Sequence, residues 1–277
     1  MPADGASAAP EAGVASRRLG VLGWPVAHSR SPAMHNAALA ALGLRDWHYQ
    51  LLPVPPELFE QTTRALGQVG FVGANVTIPH KHAALALADS ASEAARAIGA
   101  ANTLTFAPGG TIAAENTDAP GLLAAIDEPL CGKRALVLGA GGSARAAVWA
   151  LREAGADVSV WNRTSERARA LAEDLDACAV ATAEPADLLV NCTAVGLHAA
   201  DDELEQLSLD SAKLGEYPLV VDLVYRADQT ELLRVARKRG ARTVDGIDVL
   251  VAQGALSFEL WTGRDAPRAT MAAAARD

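Results

Sequence analysis

Four short, nearly continuous apolar runs in the second half of the chain constrain its fold most strongly. They follow Gly132, read ALVL, VSVW, LLVNC and LVVDLV, and are separated by helical patterns. A strand in a parallel sheet is covered by helices on both faces, so it is apolar throughout instead of alternating. The runs therefore predict βαβ units, and an α/β fold class.

A glycine turn joins the first of these strands to its helix. The segment LVLGAGGSARAA matches the G-x-G-x-x-A pattern, and its predicted dinucleotide-binding residues are Gly139, Ala140, Gly141, Gly142, Ser143 and Ala144. Gly139 permits a tight turn, Gly141 lets a pyrophosphate approach the backbone, and Ala144 allows close packing of helix on strand. The N-terminus of the helix then offers N–H groups to the phosphates, so we predict a dinucleotide site.

The end of the next strand indicates which dinucleotide is bound. An NAD site places an acidic residue there, about 20 residues after the turn, to bind the ribose 2′-hydroxyl. This chain instead has Asn162, Arg163 and Thr164, with Arg167 one helical turn later. Guanidinium groups bind phosphate well, so the two arginines predict the 2′-phosphate of NADP(H). The alternative is that both arginines are solvated residues at the start of a helix.

The segment GANVTIPHK in the first half of the chain has an unusual polar pattern for a buried strand. Alternation places Asn75 and Thr77 on one face of the predicted strand, and Lys81 closes the segment. This face is either the wet surface of an edge strand or the wall of a polar pocket. In the same half, Ser31 is predicted to be the N-cap of a helix that continues through Pro32.

Charge and composition exclude several functional classes. The net charge of −9 argues against nucleic acid or an anionic membrane as the main partner. No apolar run approaches the roughly 20 residues of a membrane span, and the first sixteen residues resemble a disordered tail, not a secretory signal. We expect the three cysteines to be reduced, buried thiols of a cytoplasmic protein.

The catalytic residues of a nicotinamide enzyme must manage one proton. A Tyr-x-x-x-Lys pair is absent, and the six histidines lie outside recognisable dehydrogenase motifs. His80 and His82 have no evident third ligand, so we expect surface residues and no metal site. Lys81 and Asp118, in ENTDAPG, remain as candidates.

Several motifs together resemble the shikimate dehydrogenase family. GWPVAHSRSPAMHN, GANVTIPHK, IGAANTL, ENTD, GAGGSA, NRTSER and DLVY occur in the family's order, and a C-terminal Q…F…WTG follows. The resemblance covers roughly residues 19–263. It implies NADPH-dependent reduction of 3-dehydroshikimate to shikimate, a cytoplasmic step towards aromatic amino acids, by a monomer or homodimer.

The resemblance also implies roles for individual residues. Lys81 and Asp118 are implied to be the catalytic pair, and Ser29 and Ser31 to hold the substrate carboxylate. Further implied substrate contacts are Asn75, Thr77, Asn102, Tyr225 and Gln253, and contacts near the nicotinamide are Leu223 and Gly246. Ser31 can equally serve as a helix cap, and Asn102 can hold a loop.

We expect two α/β domains with a cleft between them, the second a Rossmann-type doubly wound parallel sheet. A disordered tail (1–16) precedes a discontinuous substrate-binding catalytic domain (17–117 with 247–277), and residues 118–246 form the NADP-binding domain. The chain departs from the family's usual residues at Ala119, Ala194, Leu197, Ala227 and Val249. A quinate/shikimate or aminoshikimate dehydrogenase and a non-catalytic module sensing NADP or a ring acid are the alternative functions.

Overall fold

Two six-stranded sheets organise the part of the chain that the computed structural model describes, which is residues 16–198, 202–226 and 228–277. The strands are β1 (Arg17–Gly23), β2 (Trp47–Pro53), β3 (Phe71–Val76), β4 (Ser90–Ala91), β5 (Thr103–Phe106), β6 (Ile112–Glu115), β7 (Arg134–Leu138), β8 (Asp157–Trp161), β9 (Cys178–Ala179), β10 (Leu188–Asn191), β11 (Leu219–Asp222) and β12 (Arg242–Val244).

Eleven α-helices pack on these sheets within the described ranges. They are α1 (Ser31–Ala41), α2 (Phe59–Leu66), α3 (Lys81–Leu87), α4 (Glu93–Ile98), α5 (Asp118–Ile126), α6 (Gly142–Glu153), α7 (Ser165–Asp174), α8 (Glu203–Gln206), α9 (Glu231–Lys238), α10 (Gly246–Thr262) and α11 (Arg268–Arg276). Short 3₁₀ turns occupy Pro56–Leu58, Gly67–Val69 and Lys213–Glu216. No helix of the described segments is long and apolar enough to cross a membrane.

The first sheet has the strand order β2-β1-β3-β5-β6-β4 and mixes parallel and antiparallel pairs. Strand β1 runs parallel to both β2 and β3, whereas β5 is antiparallel to β3 and to β6. Strand β3 therefore lies in the interior of the sheet. The interpretation of the GANVTIPHK segment as a wet edge strand is wrong, because this strand is paired on both sides.

The second sheet is parallel throughout and has the order β12-β11-β10-β7-β8-β9. Counted from β7, this order is the 3-2-1-4-5-6 arrangement of a dinucleotide-binding fold. The order reverses between β7 and β10, and such a switch point creates a crevice at the carboxyl ends of the strands. The predicted α/β class and Rossmann-type parallel sheet are confirmed.

The last two helices return the chain to the first sheet. One hydrophobic core contains Leu19 and Val21 of β1 together with Phe258, Trp261 and Met271 of α10 and α11. The indole Nε1 of Trp261 donates a hydrogen bond to the carbonyl oxygen of a β5 residue 157 positions earlier, at 3.0 Å. Residues from both ends of the chain therefore build one core.

Local predictions differ from the structure at several places. Helix α1 begins at Ser31, and Arg30 occupies the N-cap without a side-chain hydrogen bond, so the prediction of a Ser31 N-cap is wrong. Strand β3 ends at Val76, before Thr77. Helix α11 has no counterpart among the predicted elements. Of the predicted disordered tail, residues 1–15 lie outside the described residues, as does the departure at Ala227.

Candidate active site

A cavity of about 140 Å³ lies between the two sheets. All nine side chains predicted as catalytic or substrate-binding line it: Ser29, Ser31, Asn75, Thr77, Lys81, Asn102, Asp118, Tyr225 and Gln253. The second sheet's side of the cavity is lined by Ser143 at the start of α6 and by Leu223 after β11. The carboxyl ends of strands in both sheets therefore face this space.

Two helix starts bring Lys81 and Asp118 together. Lys81 is the first residue of α3 and Asp118 is the first residue of α5. The Nζ atom of Lys81 donates to Asp118 Oδ2 at 2.6 Å, and only 9% and 19% of the two side chains are exposed. Partial burial strengthens this ion pair relative to a surface pair, because less water screens it. The site thus holds an ammonium group beside a carboxylate at its centre.

The side chain of Asn102 connects two other residues of the cavity wall, Asp118 and Gln253, with the neighbouring Thr117. Its Nδ2 atom lies 2.8 Å from Asp118 Oδ1, 3.0 Å from Thr117 Oγ1 and 3.1 Å from Gln253 Oε1. The backbone N–H of Thr117 donates to Asn102 Oδ1 at 2.7 Å. Asn102 therefore holds Asp118 and the preceding Thr117 in place, in addition to lining the cavity.

Asn75 is buried in β3, and its amide is oriented by neighbours on both sides. The hydroxyl of Tyr49 donates to Asn75 Oδ1 at 2.8 Å. Asn75 Nδ2 lies 3.2 Å from Thr103 Oγ1 and 3.3 Å from the Asn102 carbonyl oxygen. Thr77, one residue beyond the strand, is half-buried and lines the same cavity. The alternating polar face thus forms the wall of a pocket.

The loop between β1 and α1 contributes Ser29, and the first residue of α1 is Ser31. The backbone N–H of Ser31 donates to Ser29 Oγ at 3.3 Å, and Ser31 is buried. Tyr225 lies against this loop from the other side of the cleft. Burial raises the pKa of the Tyr225 phenol, although a hydrogen bond with Ser29 opposes this shift. Tyr225 therefore stays neutral and offers a hydroxyl to the cavity.

A second cavity of about 140 Å³ adjoins the first on the side of the parallel sheet. The two cavities share His28, Thr77, Ser143, Leu223 and Tyr225. Two of the unusual residues noted in the sequence, Ala194 and Leu197, line the second cavity, and Val249 lines the first. These three departures therefore line the two adjoining cavities of the cleft.

The glycine turn after β7 is shaped for a pyrophosphate. Gly139 has a φ of +111°, which favours glycine, and its N–H donates to the Trp161 carbonyl oxygen at 2.8 Å. A Cβ atom added to Gly141 would meet no described atom within 4 Å, so the turn is open on this side. Helix α6 has no side-chain cap, and its first N–H groups therefore lack helical partners. The turn fits a bound dinucleotide phosphate.

The predicted 2′-phosphate residues lie close to this turn along the edge of the sheet. Strand β8 ends at Trp161, and Asn162 Nδ2 donates to the Thr164 carbonyl oxygen at 2.9 Å. Arg163 and Arg167 are both exposed there. The arginine side chains are thus accessible to an anion beside the dinucleotide turn.

Four polar residues of the site were not assigned by the sequence: His28, Tyr49, Thr103 and Thr117. His28 lies after β1, at the carboxyl end of a parallel strand, and this position is the signal that could have found it. Burial, and secondarily the nearby His198, lower the pKa of His28. The other three act through Asn75 or Asn102, and nothing in the local sequence marks such partners.

The structure corrects two further expectations. His80 is buried, its Nε2 lies 2.8 Å from the Val54 carbonyl oxygen, and its ring stacks on Phe59, so it is not a surface residue. Cys131 and Cys178 are exposed, contrary to the expected burial. Cys192 is half-buried, and burial of its thiol raises its pKa well above the ordinary value, so it is not a reactive thiolate.

Three family descriptions match successive parts of the chain. Residues 21–104 match the shikimate dehydrogenase substrate binding domain. Residues 122–223 match the shikimate/quinate 5-dehydrogenase family, and residues 246–276 match the shikimate 5′-dehydrogenase C-terminal domain. The three matches follow the order of the first sheet, the second sheet and the returning helices.

Known proteins resemble the chain over nearly its whole length. A shikimate dehydrogenase (NADP(+)) from Thermus thermophilus is 47% identical over 251 residues, which is 89% of this chain and 92% of the relative. One from Methanopyrus kandleri is 43% identical over 268 residues, covering 90% and 91%. A crystal structure of shikimate 5-dehydrogenase from Thermus thermophilus, in complex with NADP(H) and shikimate, superposes with a TM-score of 0.84 at 44% identity, covering 94% and 98%.

Proposed function

The chain belongs to the shikimate dehydrogenase family, and we propose that it performs the family's reaction with Lys81 and Asp118 as the catalytic pair. It is an oxidoreductase that interconverts 3-dehydroshikimate and shikimate with NADP(H), in the route to aromatic amino acids. The observation that carries the residue assignment is the 2.6 Å contact between Lys81 Nζ and Asp118 Oδ2, in a cavity beside an open dinucleotide turn.

In this proposal, Lys81 is the residue that gives and takes the proton. Its ammonium group polarises the ketone oxygen of 3-dehydroshikimate and donates a proton as the alcohol forms. Asp118 accepts a hydrogen bond from Lys81 and fixes the direction of the ammonium group. When NADPH is bound, the chemistry that it supplies is hydride transfer. In the reverse reaction, Lys81 receives the proton of the shikimate hydroxyl.

Neutral polar groups recognise the remainder of the ring. Ser29, Ser31 and Tyr225 form one end of the cavity, where we place the substrate carboxylate. Asn75, Thr77, Asn102 and Gln253 supply amide and hydroxyl groups for the ring hydroxyls. A polar group that is left without a partner in such a pocket costs free energy, so an analogue that lacks a hydroxyl is rejected.

We assign the two sheets separate roles. Residues 17–117 with 247–277 bind the substrate, and residues 118–246 bind NADP(H). The turn at residues 139–144 holds the pyrophosphate, and Asn162, Arg163, Thr164 and Arg167 hold the adenosine ribose and its 2′-phosphate. Leu223 and Gly246, which line the cavity, contact the nicotinamide. The proposal includes a cytoplasmic location and a monomeric or homodimeric state, as inferred from the sequence.

A comparison of turnover with two acids and two cofactors tests which acid is the preferred substrate. Oxidation is followed by NADPH or NADH absorbance with shikimate or quinate, each paired with NADP⁺ or NAD⁺. Quinate differs from shikimate in having a saturated ring and an extra hydroxyl beside the carboxylate. In our proposal this extra hydroxyl would lie near Ser29 and Ser31. We therefore expect the highest kcat/KM with shikimate and NADP⁺. Equal or faster turnover of quinate would instead identify a quinate/shikimate enzyme, and binding without turnover would contradict the catalytic assignment.

A further inference from the structure

The hydroxyl of Ser143 makes a direct contact with Lys81 across the cleft. Ser143 is the second residue of α6, in the glycine turn of the parallel sheet, whereas Lys81 belongs to the first sheet's side. Lys81 Nζ donates to Ser143 Oγ at 2.8 Å. A Cβ atom added to the neighbouring Gly142 would come within 2.9 Å of Lys81 Cβ, so the start of α6 also packs against the lysine stem.

The contact between Lys81 and Ser143 matters because an ammonium group has several donors that must be held in place. A lysine ammonium has three N–H groups on a flexible stem, and a single acceptor would leave it free to rotate. Here Asp118 Oδ2 and Ser143 Oγ each accept one hydrogen bond. With two of the three donors held at fixed positions, the direction of the third is determined. Because Lys81 is only 8% exposed and lines the cavity, the third donor is the one left for a ring oxygen.

We propose that Ser143 is a positioning residue that orients the Lys81 ammonium group from the dinucleotide turn. This inference rests on the proposed function of Lys81 as the proton donor. The turn that receives the pyrophosphate also carries one of the two acceptors that fix Lys81. One short turn therefore carries both the backbone that receives the pyrophosphate and the hydroxyl that orients Lys81.

The position of Ser143 allows its hydroxyl to be removed cleanly. The residue lies in a helical turn, where alanine is the most favourable residue, and it is not one of the glycines that shape the turn. Ser143→Ala therefore keeps the helix and the phosphate-binding backbone and deletes only the acceptor. Ser143→Thr keeps a hydroxyl, and Ser211→Ala removes one from an exposed loop of the same domain as a matched control.

Steady-state kinetics give the first measurement. With saturating shikimate and NADP⁺, we expect Ser143→Ala to turn over about 10- to 100-fold more slowly, the effect of losing one hydrogen bond to a charged group. The KM for shikimate and the affinity for NADP⁺ should change little, and Ser143→Thr should recover most of the lost turnover. A variant that loses only NADP⁺ affinity, with normal turnover at saturation, would overturn the proposal.

Nuclear magnetic resonance gives a second measurement that does not depend on turnover. The chain has only four lysines, Lys81, Lys133, Lys213 and Lys238, so isotope-labelled lysine gives a simple spectrum in which Lys81→Ala identifies one set of signals. In the wild-type protein we expect separate ε-methylene signals for a fixed Lys81, which shift when NADP⁺ is added. In Ser143→Ala these signals should merge towards those of a mobile lysine.

The outcomes of the two measurements are separable. Unchanged Lys81 signals and normal turnover in Ser143→Ala would overturn the positioning role. If the wild-type protein oxidised no shikimate, the proposed function would fall, whereas the Lys81 signals would still decide whether Ser143 holds the ammonium group. Circular dichroism of each variant shows that the fold is retained, and Ser143→Gly, which also lacks the hydroxyl, supplies the test if the alanine variant is unstable.

Discussion

The imidazole ring of His35 lies flat against the phenol ring of Tyr49, with 4.3 Å between the ring centroids and 1° between the ring planes. The next residue, Asn36, holds the backbone of Tyr49 through two hydrogen bonds of 2.8 and 2.9 Å. The Tyr49 hydroxyl in turn donates to Asn75 in the cavity wall. Two consecutive residues of α1 therefore support this wall of the cavity from behind.

We predict that His35 makes the protein sensitive to acid. Burial lowers the pKa of His35 from 6.5 to about 3. Below pH 6.5 the unfolded chain protonates this residue and the folded chain does not, so the free energy of unfolding falls as pH decreases towards 3. Between pH 7 and pH 5 the loss from this residue amounts to about 2 kcal/mol. Urea unfolding of His35→Leu across this range should show a correspondingly smaller loss than the wild-type protein.

The matched control for this prediction is His48→Leu, because His48 is exposed on a strand of the same domain. Its loss of stability with acid should equal that of the wild-type protein. Parallel pH dependences for His35→Leu and the wild-type protein would contradict the prediction, whatever the two stabilities are at pH 7.

Removal of the Lys81 ammonium group should slow catalysis without preventing binding. We expect Lys81→Ala to lower turnover by about 10²–10⁴-fold, the usual range for a general acid. Its effect on the KM for shikimate should be small, because the serine and amide groups remain. Lys238→Ala, at an exposed position on α9, is the control and should keep normal turnover. Near-normal turnover of Lys81→Ala would end the catalytic assignment.

Replacement of Asp118 by its amide isostere should also impair turnover. Both oxygens of Asp118 accept hydrogen bonds, from Lys81 at 2.6 Å and from Asn102 at 2.8 Å. The single oxygen of an asparagine can satisfy only one of these donors, so its own NH₂ group must face the other. We expect Asp118→Asn to lower kcat by about 10- to 100-fold. Asp265→Asn, at an exposed position, controls for the loss of a negative charge.

The choice between NADPH and NADH should depend on Arg163. Loss of a charge-assisted hydrogen bond to the 2′-phosphate costs about 1–3 kcal/mol. Arg163→Ala should therefore weaken NADPH binding by that amount and leave NADH binding nearly unchanged in isothermal titration. Arg64→Ala, on α2 of the other domain, should affect neither cofactor. Equal losses for both cofactors in Arg163→Ala would exclude the 2′-phosphate assignment.

The carboxylate end of the substrate pocket can be tested at Ser29. Ser29→Ala removes a hydroxyl beside Tyr225, and we expect a higher KM for shikimate with little change in NADPH affinity. Thr77→Val tests another residue of the cavity wall, because it removes a hydroxyl at similar volume, and we expect it also to raise the KM for shikimate. If Ser29→Ala weakened NADPH binding and left the shikimate KM unchanged, the carboxylate would have to bind elsewhere.

Local sequence patterns predicted the parallel sheet and the dinucleotide turn because both depend on neighbouring residues. Apolar runs such as Leu188–Asn191 lie in the buried strands of the second sheet, and Gly139 has the positive φ that the turn requires. Helix starts were less predictable. Ser31 has the residue type of an N-cap, yet the helix begins at Ser31 itself and Arg30 precedes it. Capping preferences are weak compared with tertiary packing.

The contacts that the sequence did not predict join residues that lie far apart along the chain. Gln253 meets Asn102 across 151 positions, and Ser143 meets Lys81 across 62 positions. No periodicity or turn signal encodes such pairs, because they arise only when the two sheets and the returning helices pack. The resemblance to a family assigned Gln253, but the contact between Ser143 and Lys81 needed the folded structure.

The return of α10 and α11 to the first sheet has a consequence for how the chain folds while it is being translated. Residues of β1 leave the ribosome before the second sheet, but the core that covers them also needs Phe258, Trp261 and Met271, which are translated after that sheet. The parallel sheet, whose strands span residues 134–244, is complete before those helices emerge. Since domains generally fold as units during synthesis, we expect the domain that is made first to be the last to complete its hydrophobic core.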